Sequence, residues 1–180
     1  MRALAKDWMV DGDQWWAIDT PVGRMLLAGN DDVLHHLFLP NETEARFESL
    51  DDEREGRPAA VAATELQVKE YFAGERLRFE LPLDPRGTEF QRGVWFALDE
   101  IGYGETATYG EIAARVGKPT AFRAVGMTNG RNPIPLVLPC HRVIGSSGKL
   151  VGYGGGLELK QELLEHEARV LKERADAGAQ

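Results

Sequence analysis

The sequence predicts an α+β fold, in which a small antiparallel β-sheet with one helix precedes a mostly helical domain. Short apolar runs separated by turn-forming residues predict hairpin strands early in the chain, at residues 14–19, 24–28 and 33–39. From Thr88 onward, apolar residues instead recur at helical spacing. Residues 82–87 have the composition of a linker, so we expect one domain at 1–86 and a second at 87–173.

The rest of the first domain is predicted to hold a helix and one further strand. Residues 64–73 show helical spacing, with four side chains expected to be buried: Leu66, Val68, Tyr71 and Phe72. Residues 77–83 predict a strand. Between the hairpins and the helix lies an acidic stretch, residues 48–56, which is expected to be mobile.

The second domain is predicted to begin with two capped helices. Thr88 is the expected N-cap of the first, whose apolar face runs to Ile101. Thr108 and Glu111 have the spacing of a capping box, which predicts a second helix ending near Val116.

A break at residues 117–120 separates this helix from a third, which Thr120 is expected to cap and which ends near Asn129. Two short helices joined in this way form a helix-turn-helix that can enter a DNA groove, although an ordinary helical hairpin has the same pattern. The third helix carries small residues that suit either close approach to DNA or tight packing. Residues 174–180 are expected to form a flexible tail.

Composition limits the class of protein. No apolar run approaches the ~18 residues that span a bilayer, and residues 1–9 lack the apolar core of a signal peptide. The single cysteine excludes an internal disulfide and indicates a reducing cytoplasm. One cysteine and four histidines make a structural zinc site unfavourable, and no metal is expected.

Charge is distributed unevenly along the chain. The formal net charge is -8, and residues 1–85 hold nine Lys and Arg against eighteen Asp and Glu, whereas residues 86–156 hold eight against five. Residues 112–157 contain no acidic residue, while their basic residues are Arg115, Lys118, Arg123, Arg131, Arg142 and Lys149. Such a stretch fits a surface that faces phosphates, although chance in a glycine-rich region produces the same pattern.

Residues 132–145 contain the strongest chemical signal. Three prolines keep this segment extended, and the last of them leads directly to Cys140. His141 can accept the thiol proton and the Arg142 guanidinium can stabilise the anion, so this setting favours a thiolate. A lone cysteine is otherwise a small buried hydrophobe, and the segment alone leaves that interpretation open.

A carboxylate near the end of the chain is predicted to be buried. Glu167 lies in an apolar stripe of the last helix, three or four positions from Leu163, Leu164, Val170 and Leu171. A buried carboxylate needs a partner, and His141 is chemically suitable. A frayed helix would instead leave Glu167 solvated. The remaining histidines, His35, His36 and His166, are expected to be surface or structural residues.

Several motifs in order along the chain resemble one family. Residues 139–143 (PCHRV), preceded by Asn132 and Pro133, resemble the acceptor motif of the O6-alkylguanine-DNA alkyltransferases, also called methylated-DNA–protein-cysteine methyltransferases. Further matching segments lie at residues 87–91, 94–95, 108–113, 123–126, 153–157 and 163–167. The resemblance is strong over residues 87–167, and the hairpins and helix of 1–86 are compatible with it.

This resemblance implies a ribonuclease H-like first domain and a second domain that binds DNA through the helix-turn-helix. A monomer would bind double-stranded DNA containing O6-alkylguanine, flip the nucleotide out and transfer the alkyl group irreversibly to Cys140, in a single turnover. O4-alkylthymine is an alternative substrate. No cofactor, metal or membrane would take part.

The family's catalytic roles carry over to five residues. Cys140 would be the acceptor, His141 the base acting through a water molecule, and Glu167 the group that orients the histidine. Asn132 would stabilise the turn that holds the acceptor segment beside the recognition helix. Tyr109 would help to rotate the nucleotide and would protonate the leaving base.

DNA and substrate contacts carry over in the same way. Arg123 would fill the gap left by the flipped guanine. The implied DNA-binding residues are Arg123, Thr120, Ala124, Gly126, Arg131 and Arg142. The implied substrate pocket, which includes a loop over the base, comprises Pro135, Val143, Val151, Tyr153, Gly154, Gly155 and Lys160. The chain departs from the family at Gly154, where a polar residue is common, and at Met127 and Thr128, where smaller residues are more usual.

Three other functions share part of this pattern. A non-catalytic damage binder with the same fold would lack the cysteine acceptor, so the presence of Cys140 argues against it. A helix-turn-helix regulator would need neither the Cys-His-Arg sequence nor a buried Glu167. A cysteine hydrolase would need oxyanion donors, and the sequence identifies none.

Overall fold

The computed structural model of the protein describes residues 14–43 and 56–178. Most of the acidic stretch at 48–56 therefore lies outside the described residues, as do residues 1–9 and 179–180. The elements are β1 (Gln14–Thr20), β2 (Gly23–Gly29), β3 (Leu34–Phe38), α1 (Pro40–Thr43), α2 (Ala59–Phe72), α3 (Glu89–Leu98), β4 (Ala107–Thr108), α4 (Tyr109–Arg115), α5 (Phe122–Asn129), a 3-10 turn (Cys140–Arg142), β5 (Val143–Ile144) and α6 (Leu157–Gly178). The predicted α+β class is confirmed.

Strands β1, β2 and β3 form an antiparallel sheet in sequence order. Gly23 closes the first hairpin with a φ of 118°, a conformation that glycine adopts without a steric penalty. The Thr20 hydroxyl donates to the Gly23 carbonyl across the same turn. All three predicted strands are confirmed to within one residue at each end.

Helix α2 packs against the sheet and begins at Ala59 rather than at the predicted residue 64. Val68 and Tyr71 are buried as predicted, and Phe72 is half-buried. Leu66 is 58% exposed, so its predicted burial is wrong. It lies two positions before Val68, and residues two apart point to different sides of a helix.

The strand predicted at residues 77–83 is wrong. A single parallel bridge between Leu34 and Leu83 is the pairing that the structure describes there. The Leu34 amide donates to the Pro82 carbonyl at 2.9 Å, and the Asp84 amide donates to the Leu34 carbonyl at 3.1 Å. Pro82 has no N–H group, so a regular ladder cannot continue through it.

Helices α3 and α4 begin where the sequence predicts. Thr88 forms a capping box with Gln91, and Thr108 forms one with Glu111. In each box, the side chain of one residue accepts a hydrogen bond from the backbone amide of the other, so two amides at the start of the helix are bonded. Helix α4 ends at Arg115, one residue before the predicted end.

Helix α5 packs against α4 and completes the helix-turn-helix. Its end at Asn129 is as predicted, but its N-cap is Ala121, so capping by Thr120 is wrong. The Ala121 amide donates to the Lys118 carbonyl at 2.8 Å. This turn places Thr120 one residue too early for its hydroxyl to reach the first helical amides.

Helix α6 continues through Gly178, so residues 174–178 are helical where the sequence predicts a flexible tail. The Arg174 guanidinium donates to the backbone carbonyls of Gly74 and Glu75, which anchors this last part of the helix. Ala175 and Ala177 also favour helix.

One hydrophobic core runs across the predicted domain boundary. It includes Leu27 from β2, Val68 from α2, Trp95 from α3 and Leu163 from α6. The edge of the sheet also holds the segment that leads to the cysteine, because the Leu37 amide donates to the Pro133 carbonyl at 2.9 Å. Within the described ranges, no helix is long and apolar enough to cross a membrane.

Candidate functional site

The reactive segment, residues 132–142, folds around the side chain of Asn132. The Asn132 Nδ2 group donates to the Leu138 carbonyl at 2.6 Å, while its Oδ1 accepts the Ile134 amide at 3.0 Å. One amide side chain therefore joins both ends of the turn that precedes the cysteine.

The backbone of the reactive segment is strained at Leu136. Its φ of 72° lies in the left-handed region, which costs a residue with a side chain roughly 1 kcal/mol. Leu136 is fully buried, and Pro135 beside it is buried as well. Packing and the Asn132 hydrogen bonds thus hold a conformation that the free chain would avoid.

Cys140 opens the 3-10 turn and is only 3% exposed. Burial raises the pKa of its thiol to about 11, against the opposing effects of a hydrogen bond with Asn132 and the charge of Lys160. The resting group is therefore a protonated thiol, and the thiolate favoured by the sequence argument is wrong for this state. A base must remove the proton when the sulfur reacts.

His141 is fully buried and is paired with Glu167. The His141 Nε2 and Glu167 Oε1 atoms are 2.8 Å apart. Since the carboxylate can only accept, Nε2 carries the hydrogen and Nδ1 of a neutral ring keeps its lone pair. Burial lowers the pKa of His141 below its usual value, although Glu167 acts in the opposite direction. The Nδ1 atom has no hydrogen-bond partner among the residues described, which leaves it able to accept a proton.

Glu167 is fully buried, as the sequence predicts, and both of its oxygens accept hydrogen bonds. The Oε1 atom accepts hydrogen bonds from His141, from the Tyr71 hydroxyl at 2.9 Å and from Arg142 Nη2 at 2.9 Å. The Oε2 atom accepts hydrogen bonds from the Gly104 amide at 2.8 Å and from Arg142 Nε at 3.1 Å. Burial opposes ionisation of Glu167, but hydrogen bonds from His141 and Arg142 outweigh it and lower the pKa to about 2.

Arg142 does not occupy either of the positions predicted for it. Its side chain is 7% exposed and points into the protein, where it binds Glu167 and donates to the Ile101 carbonyl at 2.6 Å. The guanidinium also lies 5.5 Å from the ring of Tyr103. Its predicted roles in DNA binding and in stabilising a Cys140 thiolate are therefore wrong, because this charge compensates Glu167 instead.

Lys160 fastens the loop after β5 to the reactive region. Its Nζ atom is buried and donates to the carbonyls of Val143 and Val151. Burial lowers the pKa of Lys160 to about 8, although a thiolate at Cys140 would act in the opposite direction. The Tyr109 hydroxyl also donates to the Val151 carbonyl, at 3.2 Å. Four of the predicted site residues are thus brought together here.

The loop at residues 151–155 is tightly packed at its C-terminal end. A side chain at Gly155 would bring a Cβ atom within 2.8 Å of Leu39, Tyr153 and Leu159. The Tyr153 hydroxyl is buried and has no hydrogen-bond partner in the described part of the chain. Gly154 is exposed, and its carbonyl accepts the Asn41 side chain at 2.9 Å. This last contact ties the loop to α1.

The predicted DNA-binding residues lie on and around α5. Arg123, Arg131 and Thr120 are exposed, whereas Ala124 and Gly126 are half-buried. A Cβ atom on Gly126 would lie 3.6 Å from the Tyr109 ring, so the helix approaches this tyrosine closely. Two apolar side chains on α5 are strongly exposed: Phe122, and Met127 at one of the positions where the sequence departs from the family.

Sequence reasoning missed three groups that complete the site. Tyr71 and Gly104 donate to Glu167, and Asn41 donates to the loop. Helical spacing indicates that Tyr71 is buried but not where its hydroxyl points. No local pattern identifies the other two, since each contact joins residues distant in sequence.

Two family models together match most of the chain. The DNA-binding domain of 6-O-methylguanine DNA methyltransferase matches residues 89–169, and the ribonuclease-like domain of the same family matches residues 15–85. Similar curated proteins include the methylated-DNA–protein-cysteine methyltransferase of Mycolicibacterium paratuberculosis, with 51% identity over 87% of this chain and 93% of the relative. The Methanosarcina barkeri protein of that name is 48% identical over 86% of this chain and 97% of its own.

Solved structures are similar over the same region. The crystal structure of Mycobacterium tuberculosis OGT in complex with DNA matches with a TM-score of 0.75 and 47% identity. The match covers 87% of this chain and 93% of that one, so both parts of the fold are included.

Proposed function

The chain belongs to the O6-alkylguanine-DNA alkyltransferase family and repairs DNA by transferring an alkyl group to cysteine, and we propose Cys140 as the acceptor. The observation that carries this proposal is the arrangement of a thiol, an imidazole and a carboxylate at the site. A buried thiol is followed by His141, whose Nδ1 atom has no hydrogen-bond partner in the described part of the chain and whose Nε2 group is bound to Glu167. Cys140 is also the single cysteine of the sequence.

The side chains support a displacement at the alkyl carbon. His141 Nδ1 takes the thiol proton through a water molecule, and Glu167 stabilises the imidazolium that forms. The sulfur then bonds to the alkyl carbon while the bond from that carbon to guanine O6 breaks. Tyr109, whose phenol pKa is raised by burial and by Cys140, stays protonated and donates its proton to the leaving base. Its proton is later replaced from His141 through solvent.

The product explains why the reaction occurs once per molecule. A thioether on Cys140 is not hydrolysed by water, and the sequence contains no second cysteine that could remove the alkyl group. The same cysteine makes a non-catalytic damage binder the weaker alternative.

Burial of the thiol requires that the damaged nucleotide leave the duplex. An O6-alkyl group lies at the base-pair edge, and the sulfur of a cysteine that is 3% exposed cannot reach it within the stack. Flipping costs a few kcal/mol, and less for a lesion that pairs poorly. We assign Arg123 to the gap, because it is exposed on the helix that follows the helix-turn-helix turn. A long planar cation can stack between bases and remain near phosphates.

The proposal also covers the domain boundary, the cellular location and the roles of three further residues. We place the domain boundary between residues 86 and 87, which is supported by family matches that lie on either side of it. We also propose a reducing cytoplasm as the location, since the acceptor must remain a free thiol. Asn132 is assigned to holding the reactive segment, and Lys160 and Tyr153 to the pocket.

Arg123→Ala should slow repair of duplex DNA by about tenfold to a hundredfold, because the gap in the stack is no longer filled. The reaction with free O6-benzylguanine needs no flipping and should be nearly unchanged. The measurement compares single-turnover rate constants for both substrates in the wild type and the variant.

A matched control is Arg24→Ala, which removes the same charge from an exposed position on β2. It should leave both rate constants near those of the wild type. If Arg123→Ala lowered the rate constants for the duplex and for the free base equally, Arg123 would support the pocket, and its assignment to the gap would be withdrawn.

A further inference from the structure

The first domain contributes a side chain to the catalytic hydrogen-bond network. Tyr71 lies near the end of α2, and its hydroxyl donates to Glu167 Oε1 at 2.9 Å. The side chain is 1% exposed, so water does not replace this donor. Oε1 is also the oxygen that receives His141 Nε2.

The ring and the hydroxyl of Tyr71 have separable functions. The ring stacks on Phe79 at 5.5 Å and contacts Tyr103 edge-on at 5.6 Å, which fixes its position in the core. Packing of this kind would be equally good with phenylalanine. A hydroxyl in the core is costly without a partner, and this one is directed at a carboxylate.

The contacts of Glu167 show what the hydroxyl adds. Arg142 bridges both carboxylate oxygens, and the Gly104 amide holds Oε2 from one side. Tyr71 is the neutral donor that joins His141 on Oε1. Without it, the carboxylate could turn about Arg142 and carry its acceptor lone pair away from the imidazole.

We propose that Tyr71 is a positioning residue for alkyl transfer: its hydroxyl holds Glu167 Oε1 where that atom orients His141, so the first domain completes the catalytic network. This inference rests on the proposed function of His141 as the base. It gives the first domain a part in the reaction beyond supporting the fold.

The test replaces Tyr71 with phenylalanine, which removes one oxygen and keeps the packed ring. Tyr103→Phe is the matched control, because the Tyr103 hydroxyl is buried nearby but has no hydrogen-bond partner among the described residues. The substrate is free O6-benzylguanine in excess, so DNA binding and flipping do not enter. The first-order rate constant is then independent of how much of the protein is active.

Tyr71→Phe should lower this rate constant by about tenfold, the loss expected for a hydrogen bond to a charged group. The acidic limb of its pH profile should also move to higher pH. A carboxylate with one donor fewer binds the imidazolium more strongly, so more of His141 is protonated and unable to accept the thiol proton. The charged groups that bear on this titration are Glu167, Arg142 and Lys160.

Tyr103→Phe should keep the wild-type rate constant and pH profile. A Tyr71→Phe variant with a wild-type rate constant and profile would overturn the inference. A lower amplitude with an unchanged rate constant would also overturn it, since that is the signature of a purely structural effect. Failure of the wild type to alkylate Cys140 would instead remove the proposed function itself, so the two failures are distinguishable.

Discussion

Cys140→Ala should abolish alkyl transfer completely and leave binding to duplex DNA close to that of the wild type. The acceptor atom is removed, and the sequence holds no other cysteine. The exposed side chains assigned to DNA, such as Arg123 and Arg131, lie outside the reactive segment or at its edge and are unaffected. Truncating one buried sulfur should lower the free energy of unfolding by only about 1 kcal/mol.

Transfer is measured by loss of the alkyl group from a labelled duplex, and binding by gel shift. Cys140→Ser is the matched control, because it preserves the size of the side chain while replacing the sulfur by a much weaker nucleophile. Residual transfer by the alanine variant would mean that another group accepts the alkyl group. Loss of DNA binding would contradict the separation of acceptor and DNA contacts.

Glu167→Gln should lower the rate constant for alkylation by free O6-benzylguanine by about a hundredfold or more, because loss of the carboxylate that orients the histidine of a Ser-His-Asp triad costs about 10⁴-fold. Among the residues that the structure describes, the groups hydrogen-bonded to the two carboxylate oxygens are all donors. An amide nitrogen must therefore face another donor or force the hydrogen of His141 onto Nδ1. In that second case the base can no longer accept the thiol proton.

The same substitution should destabilise the fold by about 3 kcal/mol, because it leaves Arg142 as a buried cation without a counter-charge. Urea unfolding measures this loss, and single-turnover kinetics measures the rate constant. Glu162→Gln, an exposed position on the same helix, is the control and should change neither quantity appreciably. Wild-type kinetics in Glu167→Gln would exclude the histidine–carboxylate pair from the mechanism.

Acid stability gives a second measurement on the same variant. Hydrogen bonds from His141 and Arg142 overcome the effect of burial and lower the pKa of Glu167 from 4.5 to about 2. Since the folded-state pKa is below the unfolded one, this contribution to stability is present above pH 4.5 and is lost as the pH falls toward 2. In Glu167→Gln, the free energy of unfolding should therefore fall less than in the wild type as the pH is lowered through this range.

Features encoded locally could be predicted from the sequence. Thr88 and Thr108 begin helices because a capping box needs only four consecutive residues. Glu167 could be placed in the interior because its neighbours three and four positions away are apolar. Its pairing with His141 followed from the chemical need to compensate a buried carboxylate, and the structure has that pair at 2.8 Å.

Features set by tertiary contacts could not be predicted in this way. The charge of Arg142 predicts a contact with DNA, yet a three-residue turn has too little periodicity to show which way a side chain points. Helical spacing predicts that Tyr71 is a core residue, but the partner of its hydroxyl lies in the last helix. The Cys140 thiol is protonated because of burial, which the flanking residues alone do not reveal.

Transfer to Cys140 is tested most directly by mass spectrometry of the wild-type protein after reaction with a duplex containing one O6-methylguanine. Cleavage after arginine releases residues 132–142 as one peptide that contains Cys140. This peptide should gain a single methyl group on the sulfur, in an amount equal to the guanine restored in the DNA. A methyl group on another residue, or restored guanine with an unmodified protein, would contradict transfer to Cys140.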